Sequence, residues 1–546
     1  MIQDYFPTGM SPRDSQQKVL SKLDTLLSSS STKKFVVLRA PTGSGKSAVC
    51  ASVSNYFSSL GKGTYLLCSR RYLQTQYMGD FSTTYRNFWG KANYRCPLIS
   101  ASCSGCPADT AIDPAGYMKF LRKNCTTRGP NSKLGDKCPY IIARDAASSH
   151  KASLLNFEAF MANSPSGHFL KREVMMIDEA HNIADRAAAF FEVKIPSWCK
   201  VPKSLSTLTY GTDDCRTRLT STSDEIVELV DLMQAKSDSM KSDGYPVPVE
   251  VSSYIQYLTL TDVDWVYDVP RKTLVPVKVK ELLNRFLFDY ADKVVLLSAT
   301  LSPNLCKELG ITSKNSTYLD VESDFPLDNN DIRIVPSIGN ISASTLQKKI
   351  TNIAKCIILA RYSNLYTRGI VHTVSYKIVE ELKAEIDRVL RDEGGAKSAS
   401  PMDDLSFIFH TRDRKLDDLL EEYKAKTDAV LVTPSLSEGF DGKGDLLEWQ
   451  VLVKCPFPHL GEPRVKTMMA TDFGKVLYRE RAISTLLQTI GRGLRSKEDK
   501  CITYILDKNI VSTLSKCSRS SSEHFNSTSE HFKKCWKRRF NEEWLS

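Results

Sequence analysis

Five residues, Gly43-Ser44-Gly45-Lys46-Ser47, follow the apolar run Phe35-Val36-Val37-Leu38, and far downstream Asp178-Glu179-Ala180-His181 closes a second apolar run. A glycine-rich turn between a strand and a helix lets backbone amides wrap phosphate oxygens. Its lysine then bridges the β- and γ-phosphates and the next hydroxyl faces Mg²⁺. Thr42 to Ser47 are therefore read as a phosphate cradle. Asp178 and Ser47 are read as Mg²⁺ ligands, and Glu179 as the group that polarises the attacking water. An Asp-Glu pair can also cap a helix, but an acid at the end of a buried parallel strand points to the metal instead. Such chemistry is electrostatic and calls for guanidinium groups near the γ-phosphate. Gln488-Thr489-Ile490-Gly491-Arg492-Gly493-Leu494-Arg495 supplies two, Arg492 and Arg495, which helical spacing puts on one face. Alone, that spacing is a surface salt-bridge pair by default.

These residues need a scaffold that brings distant segments to one edge. Short apolar runs recur at 35–38, 64–68, 174–177, 294–297, 357–360, 429–432 and 450–453, and helical spacing lies between several of them, as in Ser47 to Leu60 and Tyr376 to Leu390. This alternation argues for parallel sheets with crossover helices, an α/β chain of two such domains, the second starting near 357. Two stretches break the rhythm. Residues 91–145 hold a crowd of cysteines, and 190–285 is far longer than an ordinary connection; both read as insertions. A Ser-rich tail from Ser518 to Ser529 precedes a basic, aromatic stretch, Lys533 to Phe540, which suits either a phosphate backbone or a solvated helix face.

A chain of 546 residues is too long for one core, and its net charge of +11 is compatible with a nucleic-acid partner. No basic start precedes an apolar stretch, and no run of about 18 apolar residues occurs. The expectation is an intracellular protein, cytoplasmic or nuclear, without a membrane partner. Its fifteen cysteines are then thiols rather than a disulfide framework. Five crowd together: Cys96, Cys103, Cys106, Cys125 and Cys138. Four thiolates in a closed set suit a [4Fe–4S] cluster or a structural zinc.

In their order along the chain, the motifs resemble superfamily 2 helicases, and within them the XPD/DinG-like iron–sulfur DNA helicases. Arg13-Asp14-Ser15-Gln16 resembles the adenine-reading segment, Leu73-Gln74-Thr75-Gln76 motif Ia, Asp178 to His181 motif II and Leu297-Ser298-Ala299-Thr300-Leu301 motif III. His372-Thr373-Val374-Ser375-Tyr376 stands where motif IV is expected. Ser437-Glu438-Gly439-Phe440-Asp441 resembles motif V, Cys455-Pro456-Phe457-Pro458 follows it, and Gln488 to Arg495 resembles motif VI. Ala40 replaces the usual first glycine of the phosphate loop.

The resemblance implies two RecA-like motor domains with an iron–sulfur insertion and a helical arch insertion in the first. The expected boundaries are 1–90, 146–189 and 286–335 for the first motor, 91–145 for the cluster, 190–285 for the arch, and 336–546 for the second motor with its basic tail. It implies that Arg13 and Gln16 contact adenine, that Asp441 joins the nucleotide site, that Gln488 orients nearby, and that Arg492 and Arg495 act as arginine fingers. It favours Cys96, Cys103, Cys106 and Cys138 as ligands of a [4Fe–4S] cluster, with Cys125 the substitute for Cys103 or Cys106. It implies ATP and Mg²⁺ as cofactors, and single-stranded and forked DNA as partners of a monomer that translocates 5′→3′ and unwinds duplexes in repair or replication. The alternatives are an ATPase subunit of a repair or transcription assembly that opens DNA without processive unwinding, and an RNA-directed helicase.

Overall fold

The computed structural model describes residues 1–28, 32–41, 43–95, 102, 138–199, 201, 223–243, 249–321, 326, 329–364, 367–393, 406–434, 442, 444–493 and 498–517. The chain divides into two compact units. The first comprises Met1–Arg39, Lys46–Val321 and His459–Val476; the second comprises Ala40–Gly45, Glu322–Pro458 and Leu477–Ser546.

The first unit is built on a sheet assembled from β1 (Phe35–Arg39), β2 (Thr64–Cys68), β3 (Arg86–Phe88), β4 (Ala152–Asn156), β5 (Arg172–Ile177), β9 (Ala291–Ser298) and β10 (Ser316–Asp320). Their spatial order is β10-β1-β9-β5-β2-β4-β3, and every pairing is parallel. β1 and β2 are buried along their whole length, so their residues form continuous apolar runs rather than alternating ones. The helix Lys46–Ser59 packs on the sheet through Ala48, Val49, Ala51, Ser52 and Val53, whose small side chains permit close approach. At the sheet edge, buried Arg39 donates to Asp320, its register partner on β10, through Nη2 to Oδ2 at 2.6 Å.

Between β5 and β9 lies a second structural layer. β6 (Val193–Lys194), β7 (Trp265–Asp268) and β8 (Thr273–Pro276) form an antiparallel sheet in the order β6-β8-β7. With it come the helices Ser223–Ser242 and Val249–Leu258. The described part of 190–285 is thus mixed α and β rather than helical throughout. The β-pairing there was invisible in sequence because β6 and β8 pair across an intervening stretch of about eighty residues.

The second unit holds the other parallel sheet: β11 (Asn330–Ile334), β12 (Gly369–His372), β13 (Phe407–Phe409), β14 (Val430–Thr433), β15 (Trp449–Leu452) and β16 (Cys501–Ile505), in the order β11-β16-β15-β12-β14-β13. Both faces are covered. Val371, Val430 and Val432 point into one core with the helices Leu346–Ser363 and Tyr376–Glu393. Their neighbours Ile370 and Leu431 point into another with Leu419 and Tyr423 of the helix Leu416–Ala425. Gly369 has no room for a side chain, because a Cβ there would sit 2.1 Å from the ring of Trp449 on the adjacent strand.

The structure corrects three sequence expectations. Residues 357–360 are not a strand but part of the helix Leu346–Ser363. Ile350, Ile353, Ala354, Ile357, Ile358 and Arg361 are buried at helical spacing, and Leu359 within the apolar run is 44% exposed. The strand 330–334 lies before the boundary expected at 335, yet it pairs with β16 in the second sheet. Residues 459–476, expected with the second motor, cluster with the first unit.

That last segment is pinned by charge. The helix Pro463–Met469 buries Arg464, which donates through Nη1 to Asp185 at 2.5 Å and through Nη2 to Glu308 at 2.8 Å. Glu308 is as buried as Arg464, so removing the guanidinium takes its ion-pair partner from a buried carboxylate. Lys307 adds a cation–π contact to Phe473 at 5.1 Å. Arg464→Ala should lower the stability of the first unit by about 3 kcal/mol. A urea midpoint that does not move would show that the ion pairs do not hold the segment.

Candidate nucleotide site and its flanking residues

The phosphate loop leaves the carboxyl end of β1 and enters the helix that starts at Lys46. Gly43 and Gly45 adopt φ of 79° and 76°, a left-handed backbone that explains the need for glycine at both positions. Ser44 Oγ donates to Pro41 O at 2.7 Å and tightens the turn. β9 lies between β1 and β5, with Leu38 level with Leu297 and Ile177 level with Leu296. Parallel pairing therefore aligns the ends of three neighbouring strands. β1 runs into the phosphate loop, β9 ends at Ser298, and β5 delivers Asp178 and Glu179. Ligand sites of open α/β sheets gather at such carboxyl edges.

Asp178 is buried, and its Oδ2 accepts from the Tyr77 hydroxyl at 3.0 Å. The Ser47 side chain lies near the same phenol. Burial first, and the neighbouring Glu179 carboxylate second, push the Asp178 carboxyl up to about 6 against the opposing pull of Lys46. A divalent cation would relieve both, so the donor chemistry fits Mg²⁺. Glu179 sits at φ 51°, ψ 43°, a left-handed backbone that is strained for a residue with a side chain. His181 is buried, with Nδ1 3.2 Å from Ser298 Oγ and 3.4 Å from Glu179 Oε2. Ser298 Oγ in turn accepts from Thr300 N. Motifs II and III are thus joined through an imidazole–hydroxyl contact.

Arg13 and Gln16 form the start of the helix Asp14–Leu26, where Gln16 Oε1 accepts from Arg13 N at 2.9 Å. Buried Gln74 of motif Ia donates to Asn87 Oδ1 and Phe88 O, which fastens its helix to β3. In the second unit, Gln488 is buried on the last turn of the helix Asp472–Ile490, and Arg492 is buried in the 3₁₀ turn Gly491–Gly493 that follows. Cys138 is a free thiol at the N-terminus of the helix Pro139–Ser149. Thr42, Asp441 with the rest of motif V, Arg495, Cys96, Cys103, Cys106, Cys125 and the tail beyond 517 lie outside the described residues. Among the described residues, no group of three or more His, Cys, Asp or Glu side chains is placed to hold a metal.

Sequence reading missed Tyr77, which lies one residue past motif Ia and meets Asp178 only in the fold. It also missed Gln450. A lone amide inside the apolar strand Trp449-Gln450-Val451-Leu452 is a signal in itself, because a buried amide needs partners.

Two parallel sheets flanked by helices, the first with phosphate loop, carboxylate pair and Ser-Ala-Thr segment on one edge, define a helicase of two RecA-like domains. The sequence comparisons agree. Residues 359–524 match the helicase C-terminal domain family, and residues 9–223 match the family of the type III restriction enzyme res subunit. The ATP-dependent DNA helicase XPD of Sulfolobus acidocaldarius is 21% identical over 571 residues, covering 92% of this chain and 96% of that protein. The ATP-dependent DNA helicase DinG of Photobacterium profundum is 25% identical over 257 residues, 43% of this chain and 34% of that protein. Among solved structures, an XPD helicase superposes with a TM-score of 0.61 at 19% identity, covering 97% of this chain and all of that one. Xpd4 of S. tokodaii gives a TM-score of 0.55 at 14% identity, covering 94% and 99%. Over most of its length the chain is thus similar to the XPD-like helicases.

One titration stands out within the second unit. Burial, reinforced by the Arg492 guanidinium and opposed by the Gln450 hydrogen bond, lowers His372 to about 4. The folded ring holds its proton less tightly than the unfolded one, so stability is full above pH 6.5 and falls as pH drops towards 4. Across that window the wild type should lose up to about 3 kcal/mol more than His372→Gln. Urea denaturation at a series of pH values checks this, and parallel pH profiles for the two proteins would refute it.

Proposed function

We propose that this chain is an ATP-dependent DNA helicase that translocates along single-stranded DNA, 5′→3′, and separates duplex strands in repair or replication. The observation that carries the reading is the aligned edge of the first sheet. There Lys46, a buried Asp178 held by Tyr77, and the His181–Ser298 contact come together from segments more than 100 residues apart.

In this reading Thr42 to Ser47 cradle the triphosphate of ATP, and Lys46 bridges its β- and γ-phosphates. Ser47 and Asp178 hold Mg²⁺, which neutralises phosphate charge. Glu179 orients and polarises the attacking water, and its strained backbone is consistent with a side chain fixed for that task. Arg13 and Gln16 contact adenine, and Asp441 joins the nucleotide site. Arg492 and Arg495 stabilise charge on the transferred phosphoryl, with Gln488 orienting nearby. The His181–Ser298 contact gives hydrolysis a route to motif III, which the resemblance links to strand binding. Cys96, Cys103, Cys106 and Cys138 would hold a [4Fe–4S] cluster in the insertion, and their thiolates would anchor that segment to the metal. Cys138 supports this by its position. It stands at the N-cap of the helix Pro139–Ser149 with its thiol free.

Lys46→Ala should lower single-stranded-DNA-stimulated ATP hydrolysis by roughly two orders of magnitude or more with the fold intact. Unchanged turnover would refute the site. The wild-type chain should also displace a strand from forked DNA. ATP hydrolysis without displacement would favour a duplex-opening subunit, and stimulation by RNA rather than DNA would favour an RNA motor.

Anaerobically purified wild-type protein should be brown, with broad thiolate-to-iron absorption, and Cys138→Ser should lose that colour. A colourless wild type that holds tight zinc would refute the cluster.

A further inference from the structure

We infer that Gln450, deep in the second sheet, is the positioning residue that sets Arg492 for its work on the nucleotide; the inference rests on the reading of Arg492 given above.

Gln450 is fully buried on β15, between β12 and β16. Its amide nitrogen lies 3.2 Å from Ile490 O and 3.0 Å from Thr503 Oγ1, and its oxygen lies 3.2 Å from His372 Nε2. The Ile490 carbonyl can only accept, so the amide nitrogen faces it and donates. The amide oxygen then needs a donor, and His372 Nε2–H is the one in reach. The low pKa of His372 keeps the ring neutral at physiological pH. The network therefore fixes one imidazole tautomer and one amide orientation, with both amide protons used.

The acceptor is what gives this network its meaning. Ile490 is the last residue of the helix Asp472–Ile490, and its carbonyl belongs to the final turn, where acceptors have no intrahelical partner. Gln450 satisfies it from the side. The chain then turns tightly through Gly491, and Arg492 follows two residues after the anchored carbonyl. Gly442 also packs closely on the Arg492 backbone, because a Cβ at Gly442 would sit 2.8 Å from Arg492 O. A buried amide in the centre of a doubly covered sheet is costly unless fully paired. An apolar residue at 450 would serve packing alone, so the amide is best explained by what it holds.

The test uses the full-length chain and compares Gln450→Met with Gln450→Asn, which keeps an amide but is one methylene too short to reach Ile490. Both should lower the kcat of ATP hydrolysis by about tenfold while KM for ATP moves less than about twofold. Both should also lose much of the preference for ADP with aluminium fluoride over ADP, which a merely structural defect would not do. Neither should reduce activity further in an Arg492→Ala background. Thr503→Val removes the other acceptor but leaves the Ile490 bond, so it should change the melting temperature and not kcat. The inference is overturned by an unchanged kcat in the Gln450 variants, by losses additive with Arg492→Ala, or by an equal kcat loss in Thr503→Val. Full turnover in Arg492→Ala would instead overturn the reading of Arg492 itself, and this inference with it.

Discussion

The first unit depends on keeping a buried carboxylate under a sheet edge. Asp178 is buried beside a second acid, an arrangement that by itself raises its affinity for protons and works against the charged form a metal needs. Three features offset this. The Tyr77 hydroxyl donates to it, the Glu179 backbone amide donates to its other oxygen at 3.0 Å, and the Lys46 charge favours ionisation. Each comes from a different element, so the carboxylate is useful only when β1, β5 and the helix Arg71–Phe81 are all in register. A site of this kind is fully assembled or absent, which links nucleotide chemistry to the integrity of the fold.

The same economy of polar groups recurs at buried positions away from the phosphate loop. Arg464 anchors the segment 459–476 on two acids, and Asp507 accepts at both oxygens from the backbone amides of Ile341, Cys455 and Asn509. Gln450 unites β12, β16 and the end of a helix. Such groups add little net stability compared with an apolar core, but removing one partner is expensive. They fix geometry, and geometry is what a phosphoryl-transfer site requires, since most of its catalysis comes from placed charges rather than covalent steps.

Strain is placed in the same economical way. Glu179 and Val374 both hold left-handed backbone angles, at φ 51° and 65°, in segments that the sequence already marked as motifs II and IV. For Val374 the conformation is particularly unfavourable, because a β-branched side chain crowds that region of backbone space. Well-packed sheets supply the surroundings that hold such residues in place.

The local chemistry was readable from sequence alone. The phosphate loop, the acidic pair, the α/β class and several buried strands follow from short-range rules: glycine where the backbone must turn left, and unbroken apolar runs where a strand is covered on both faces. Some local signals misled, as at 357–360, where Ile357-Ile358-Leu359-Ala360 suits a strand as well as a helix and only burial at every third or fourth position decides. Everything that depends on contacts distant in sequence was decided by tertiary structure. That holds for the antiparallel sheet between β5 and β9, the attachment of 459–476 to the first unit, the Tyr77 hydroxyl on a carboxylate 101 residues away, and the Gln450 network. A side chain's type limits what it can bond to, but which partner arrives depends on strand order and register, and these are set by the free energy of the whole packed unit rather than by any stretch of it.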